Sequence, residues 1–349
     1  MREPAYQRDG VAIKAPFPYF GGKSLVAEMV WQRLGDVPNY VEPFAGSLAV
    51  LLGRPHWPFE KNRIETVNDA DCFLANFWRA LQADPDAVAE YCDWPVNEAD
   101  LHARHFWLVN VGREHVGRLR TDPDYYDAKI AGWWVWGICQ WIGAGWCHHH
   151  EWQQRPHLGD AGRGVHRPTQ KRPHLGNAGR GVHRPTQKRP HLGDAGRGDL
   201  HEYLALLATR LRRVRVCCGD WSRVCGRTPT FKLGLTGVFL DPPYTTKANR
   251  KSDLYSNDDL DVGHAVRDWA VEQGGNKRMR IALCGYEGEY EMPGDWDCYA
   301  WKARGGYASR GSVGCNGRAN AAKERIWFSP HCLSPTARGE TPLFSGLTE

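Results

Sequence analysis

No apolar run in this sequence approaches the ~18 residues of a membrane-spanning helix. Its opening residues, MREPAYQRDG, lack the apolar centre of a secretory signal, so a cytoplasmic setting is expected. The 11 cysteines include no C-x2-C pair and are irregularly spaced. In a reducing compartment they read as small buried residues, not as a disulfide framework. The run WCHHHEW (146–152) does not restore a zinc site, because consecutive histidines point in different directions and metal ligands must converge. No metal is expected. A phosphate-binding P-loop is missing too, although PFPYFGGKSLV (16–26) carries Gly-Lys-Ser. The pattern G-x-x-x-x-G-K-[ST] would need its first glycine where Phe17 stands. The preceding GVAIKAPFP has two prolines and no buried strand to launch such a loop. Lys23 therefore needs another task.

What is present is the composition of a globular protein: 42% hydrophobic and 24% charged residues in a chain of 349, enough for one large domain or two moderate ones. The formal net charge is +5 and is unevenly placed. Residues 151–200 hold ten Lys and Arg against four Asp and Glu, so the excess positive charge sits in that segment, as on a local polyanion-binding surface. The segment is also an internal repeat. RPHLGDAGRGVHRPTQK starts at Arg155, recurs at Arg172 with Asn177 for Asp160, and starts again at Arg189 before ending near Gly198. Gly and Pro interrupt it too often for helix or strand, and its few apolar residues cannot build a stacked core. It reads as a turn-rich loop, either a duplication in a tolerant position or a basic element against a phosphate backbone, with Arg163 and Arg180 as contacts.

On either side of this loop the pattern alternates strand and helix. NYVEPFAGSLAVLL (39–52) reads as strand, glycine turn and helix. RIETVNDADCFLANFWRALQ (63–82) reads as a strand ending at Asn68-Asp69, then a helix with Phe73, Leu74, Phe77 and Leu81 on its apolar face. LRRVRVCCGDW (211–221) and TGVFLDPPY (236–244) end further strands in Asp220 and Asp241, and RMRIALCGY (278–286) and KERIWFSP (323–330) supply late ones. This predicts an α/β fold with a mostly parallel, doubly wound sheet, with ligands at the strand C-terminal ends. Five tryptophans in AGWWVWGICQWIGAGWC (131–147) predict a helix buried against the sheet domain. The tail 333–349 reads as disordered.

Three motifs stand in a fixed order: PFPYFGGK (16–23), EPFAG (42–46) and DPPY (241–244), with Asn68-Asp69 after the second strand. Together they resemble the Dam-type DNA methyltransferases that modify the N6 amine of adenine. The resemblance covers roughly 14–82 and 211–330; the basic insert matches by position alone. It implies a Rossmann-like S-adenosylmethionine-dependent methyltransferase domain made of 14–82 and 211–332, and a target-recognition insert at 83–210. It also implies a bacterial or phage enzyme acting on double-stranded DNA, alone or beside a cognate restriction endonuclease. Adenine N6 is a poor nucleophile because its lone pair is delocalised into the ring. Asp241 and the main-chain oxygen of Pro242 would accept its two N–H bonds, Pro242 and Pro243 would stiffen the turn, and Tyr244 would stack on an extruded base. For S-adenosylmethionine, the resemblance places Tyr19 and Lys23 at the methionine portion and Asp69 at the ribose hydroxyls. Gly46 falls in the close turn, Asp220 and Trp221 at the adenine, and Glu42 and Phe44 along the pocket wall. The family pattern has a second glycine where Leu48 stands, which predicts a tighter or differently packed turn. Lys247, Arg250 and Lys251, after DPPY, would touch phosphates or close over the base. Cytosine-N4 transfer, an RNA substrate and an inactive DNA-binding relative remain alternatives; Asp241 favours adenine over cytosine.

Overall fold

The structure is a computed structural model and describes residues 13–17, 19, 22–59, 62–95, 97–122, 124–141, 146–147, 197–244, 262–302 and 323–334. Arg163, Arg180, Lys247, Arg250 and Lys251, the three consecutive histidines, and the tail past Ser334 lie outside them. Of the basic repeat only Arg197 and Gly198 are described, in the first turn of a helix.

Seven strands form one sheet: β1 (Asn39–Glu42), β2 (Ile64–Asp69), β3 (Val214–Cys218), β4 (Thr236–Leu240), β5 (Met279–Tyr286), β6 (Asp297–Ala300) and β7 (Glu324–Phe328). Their order is β3-β2-β1-β4-β5-β7-β6. The first five are parallel to one another, and β7 runs antiparallel to both β5 and β6. The ten α-helices of the described residues are α1 (Ala27–Leu34), α2 (Ala49–Leu52), α3 (Cys72–Ala83), α4 (Pro85–Cys92), α5 (Glu98–Trp107), α6 (Arg113–Val116), α7 (Ala128–Gln140), α8 (Arg197–Leu211), α9 (Ser222–Cys225) and α10 (Val262–Gly274).

Strand side chains alternate between two apolar layers, as a period of two requires when both faces are covered. Tyr40, Phe239, Ala282 and Phe328 join the layer built with α1, α2, α3, α7 and α8. Val41, Val238, Leu240, Ile281 and Trp327 join the opposite layer with α9 and α10. The architecture is thus an α/β fold with a mixed seven-stranded sheet and helices on both faces, compatible with a Rossmann-like fold.

Aspartates start the helices around α3. Asp71, Asp84 and Asp127 accept from the backbone N–H groups of Phe73 (2.8 Å), Ala87 (3.0 Å) and Ile130 (2.8 Å). Each such cap is worth about 1 kcal/mol. The tryptophan-rich helix α7 is buried against the sheet domain, as expected, and reaches it through α3. It lies against α3 and α4, with α3 between it and strands β2 and β3. Phe73, Leu74 and Phe77 make α3 apolar on more than one side, so it can meet the sheet and α7 together. The described helices of 83–210 accordingly share the core on that face of the sheet: Val88 of α4, Trp134 of α7 and Leu207 of α8 fall in one cluster with Phe77. A buried ion cluster fastens the end of this insert. Glu65 of β2 receives Arg54 at 3.0 Å and Arg210 of α8 at 2.6 and 2.9 Å.

Among the described residues no helix is long and apolar enough to cross a membrane.

Candidate active site

β1 pairs with β2 on one side and β4 on the other: the chain runs outward from β1 through β2 to β3, then crosses back to β4 and continues outward on the opposite side. Doubly wound sheets open a crevice at such a point, beyond the strand C-terminal ends. Here the crevice is a cavity of about 240 Å³. Its walls come from the turn after β1, the ends of β2 and β3, and the DPPY turn after β4. Tyr19, Lys23, Glu42, Phe44, Gly46, Asp69, Asp220, Trp221, Asp241 and Pro243 all line it. Residues far apart in sequence thus converge because each follows, or is tied to, the end of a central strand.

The turn after β1 has an unusual backbone. Gly46 has φ +46°, and a Cβ there would stand 2.9 Å from two ring atoms of Tyr19. Its N–H donates to Asp69 Oδ2 at 3.1 Å, and its carbonyl accepts from Trp78 Nε1 at 3.2 Å. Leu48, where the resembled family has glycine, also adopts the left-handed region, with φ 56° and ψ 26°. Left-handed backbone costs a non-glycine residue about 1–2 kcal/mol. The fully buried Leu48 side chain offsets that cost by filling the core, so the turn keeps a glycine-like backbone and changes its packing.

Asp69 closes the cavity floor. Burial raises its pKa to about 7, against the N–H groups of Asp71 and Gly46 that favour the carboxylate. Beside it Asn68 donates to the carbonyls of Pro43 (3.0 Å) and Gly219 (2.9 Å), tying the ends of β1, β2 and β3 together. Its Oδ1 is buried in the cavity wall without a hydrogen-bond partner. Asn68 sits inside the Asn-Asp motif but was not singled out from sequence, because only its position next to two loop carbonyls reveals its use. Asp220 lines the cavity, though its Oδ1 accepts from the Ser222 N–H at 2.9 Å and from the Ser222 hydroxyl. Trp221 and Phe44 face the same space, their ring planes 28° apart and centroids 6.4 Å apart.

Lys23 has its task here. It is 3% exposed, and its Nζ lies 2.8 Å from Asp241 Oδ2. Burial opposes the ammonium, but the charges of Asp241 and, farther off, Glu324 raise its pKa well above the usual lysine value. The ammonium therefore serves the DPPY carboxylate, whereas the resemblance placed it at the cofactor's methionine portion. Phe17 anchors this segment, packing on Phe77, Trp78 and Trp134 at centroid distances of 5.3–5.6 Å. Glu42 accepts from the Tyr40 hydroxyl at 2.9 Å, and burial pushes its pKa up to about 8.

Tyr244 and Pro242 differ from the expected arrangement. Neither lines the cavity, and Tyr244 is only 8% exposed. Tyr286 packs T-shaped against its ring at 4.4 Å and Lys23 Nζ lies over the ring 5.4 Å from its centroid, so this buried ring offers no open face for stacking. Its hydroxyl, not its face, meets the site, 2.8 Å from Glu324 Oε2 and 3.3 Å from Asp241 Oδ1.

A scan against models of known protein families finds no match, and a search of curated proteins finds no similar chain.

Proposed function

We propose that this protein transfers a methyl group from S-adenosylmethionine to the N6 amine of adenine in DNA. The observation that carries the reading is the convergence of the three sequence motifs on one cavity, with Asp241 at its wall and a buried lysine on that carboxylate. The residues present suit the cofactor. An acid at the end of β2 can accept from ribose hydroxyls, Phe44 and Trp221 offer apolar faces to a purine, and the orphaned Asn68 Oδ1 can take an amine or hydroxyl donor. When bound, S-adenosylmethionine supplies an electrophilic methyl on sulfonium sulfur.

The chain's own residues prepare the nucleophile. Lys23 pairs with Asp241 Oδ2 at 2.8 Å and leaves Oδ1 as the other oxygen of the carboxylate. Asp241 accepts an N6–H bond of an extruded adenine, which draws the nitrogen lone pair out of ring conjugation; the Pro242 carbonyl, in a residue outside the cavity lining, is assigned no bond. Two consecutive prolines hold the Asp241 carboxylate in place before the base arrives, so little reorganisation accompanies the reaction. The inserted helices 83–210 and the basic repeat form, in this reading, the part that engages the duplex.

The test incubates the protein with S-adenosylmethionine and unmethylated DNA, then quantifies methylated nucleosides by mass spectrometry. N6-methyladenine that disappears in Asp241→Ala is the expected result. N4-methylcytosine would replace the base and keep the chemistry. Cofactor binding without any methylated nucleoside would overturn the reading in favour of a binding protein.

A further inference from the structure

β7 is the one strand that runs against its neighbours, and this reverses which of its ends meets the cavity side. In β1 to β5 the strand end nearest the site is the last residue and those that follow it; in β7 it is the first. Glu324 opens β7 opposite Tyr286, the last residue of β5. It is 4% exposed and sits behind the DPPY turn.

Tyr244 has a single hydroxyl proton and two carboxylates within reach. Glu324 Oε2 is at 2.8 Å and Asp241 Oδ1 at 3.3 Å. Asp241 Oδ2 is already engaged by Lys23 at 2.8 Å. Oδ1 is therefore the oxygen left to accept from a substrate amine. A hydroxyl that donated to Oδ1 would take one of that oxygen's two acceptor positions and weaken it as a partner for the amine.

We infer that Glu324 is a positioning residue for methyl transfer, drawing the Tyr244 hydroxyl proton to itself and so keeping Asp241 Oδ1 open to the adenine amine. This rests on the function proposed above. Glu324 acts through Tyr244 and has no contact with substrate.

Two substitutions at Glu324 and one double variant with Tyr244→Phe separate this role from a merely structural one. Glu324→Ala lets the hydroxyl turn to Asp241, and kcat falls about ten- to a hundredfold, the loss of one charge-assisted hydrogen bond at the reacting amine. KM for S-adenosylmethionine stays near its original value, because neither Glu324 nor Tyr244 lines the cavity. Glu324→Gln keeps an acceptor oxygen and loses less than Glu324→Ala. The decisive comparison adds Tyr244→Phe to Glu324→Ala: removing the competing hydroxyl raises kcat above that of Glu324→Ala alone. Thermal denaturation of each variant keeps folding and turnover separate, and should Glu324→Ala not fold, the same comparison is made with Glu324→Leu. A wild-type protein that binds S-adenosylmethionine but methylates no DNA overturns the underlying function and this role with it. Active wild type with unimpaired Glu324→Ala, or with no relief from Tyr244→Phe, overturns the positioning role alone.

Discussion

Glu65 and Asp241 both hold a buried cation, yet their surroundings follow opposite rules. Glu65 is one acid between two arginines, Arg54 and Arg210, and both of its oxygens are taken. Asp241 shares a single lysine with a second acid, Glu324, and has Glu42 within electrostatic range. In the first cluster, guanidinium forks match carboxylate geometry and join β2, α8 and, through Arg210 to the Leu51 carbonyl at 3.0 Å, α2. In the second, acids outnumber the cation, and burial raises the pKa of both Glu42 and Glu324. A cluster with every oxygen bound holds the fold. A cluster with surplus carboxyl oxygen is costly to keep and leaves an acceptor available.

The sharpest way to break this comparison is Glu65→Ala. It strands two buried guanidinium groups and is expected to cost about 3–5 kcal/mol of stability, seen as a lowered denaturation midpoint. Whatever Glu65→Ala protein stays folded should bind S-adenosylmethionine as tightly as wild type. Asp241→Asn should do the reverse. Methyl transfer in single turnover should fall about a hundred- to a thousandfold, or about 3–4 kcal/mol, while the fold persists.

A third expected effect concerns pH. Glu42 titrates at about 8 in the folded chain against an ordinary value of 4.5. Between those values the folded chain binds the extra proton, so stability is fully present below pH 4.5 and declines as pH rises through 8. Glu42→Gln should flatten that decline, matching wild type near pH 4.5 and exceeding it above pH 8, as read from urea unfolding at a series of pH values. The smallest effect tests the turn. Leu48→Ala loses the buried side chain and keeps the left-handed strain, whereas Leu48→Gly loses both. Leu48 caps the start of α2, where glycine is ordinarily tolerated better than alanine, and with the left-handed strain relieved it should be the milder by about 1 kcal/mol.

Much of this was legible in the chain itself. β1, β2 and β4 announce themselves as apolar runs ending in polar turns, and the three motifs name most of the cavity wall. β6 gave no such signal, because its four residues are all exposed and show no alternation. Glu324 was hidden for a different reason. Sequence reasoning looked for site residues after strands, and an antiparallel strand delivers its first residue instead. The burial of Tyr244 and the Lys23–Asp241 pair involve partners 42 to 218 residues apart, which no local pattern encodes.

The sequence by itself determined the alternation of strand and helix, the placing of aspartates at helix starts and strand ends, and the residue types at the cavity. Periodicity and turn chemistry are local, so they survive being read without a fold. Tertiary structure decided the partners: which cation meets which acid, which face of Tyr244 is covered, and where α7 packs. Those depend on strand order and direction, which bring distant segments together in a way that neighbouring residues do not specify.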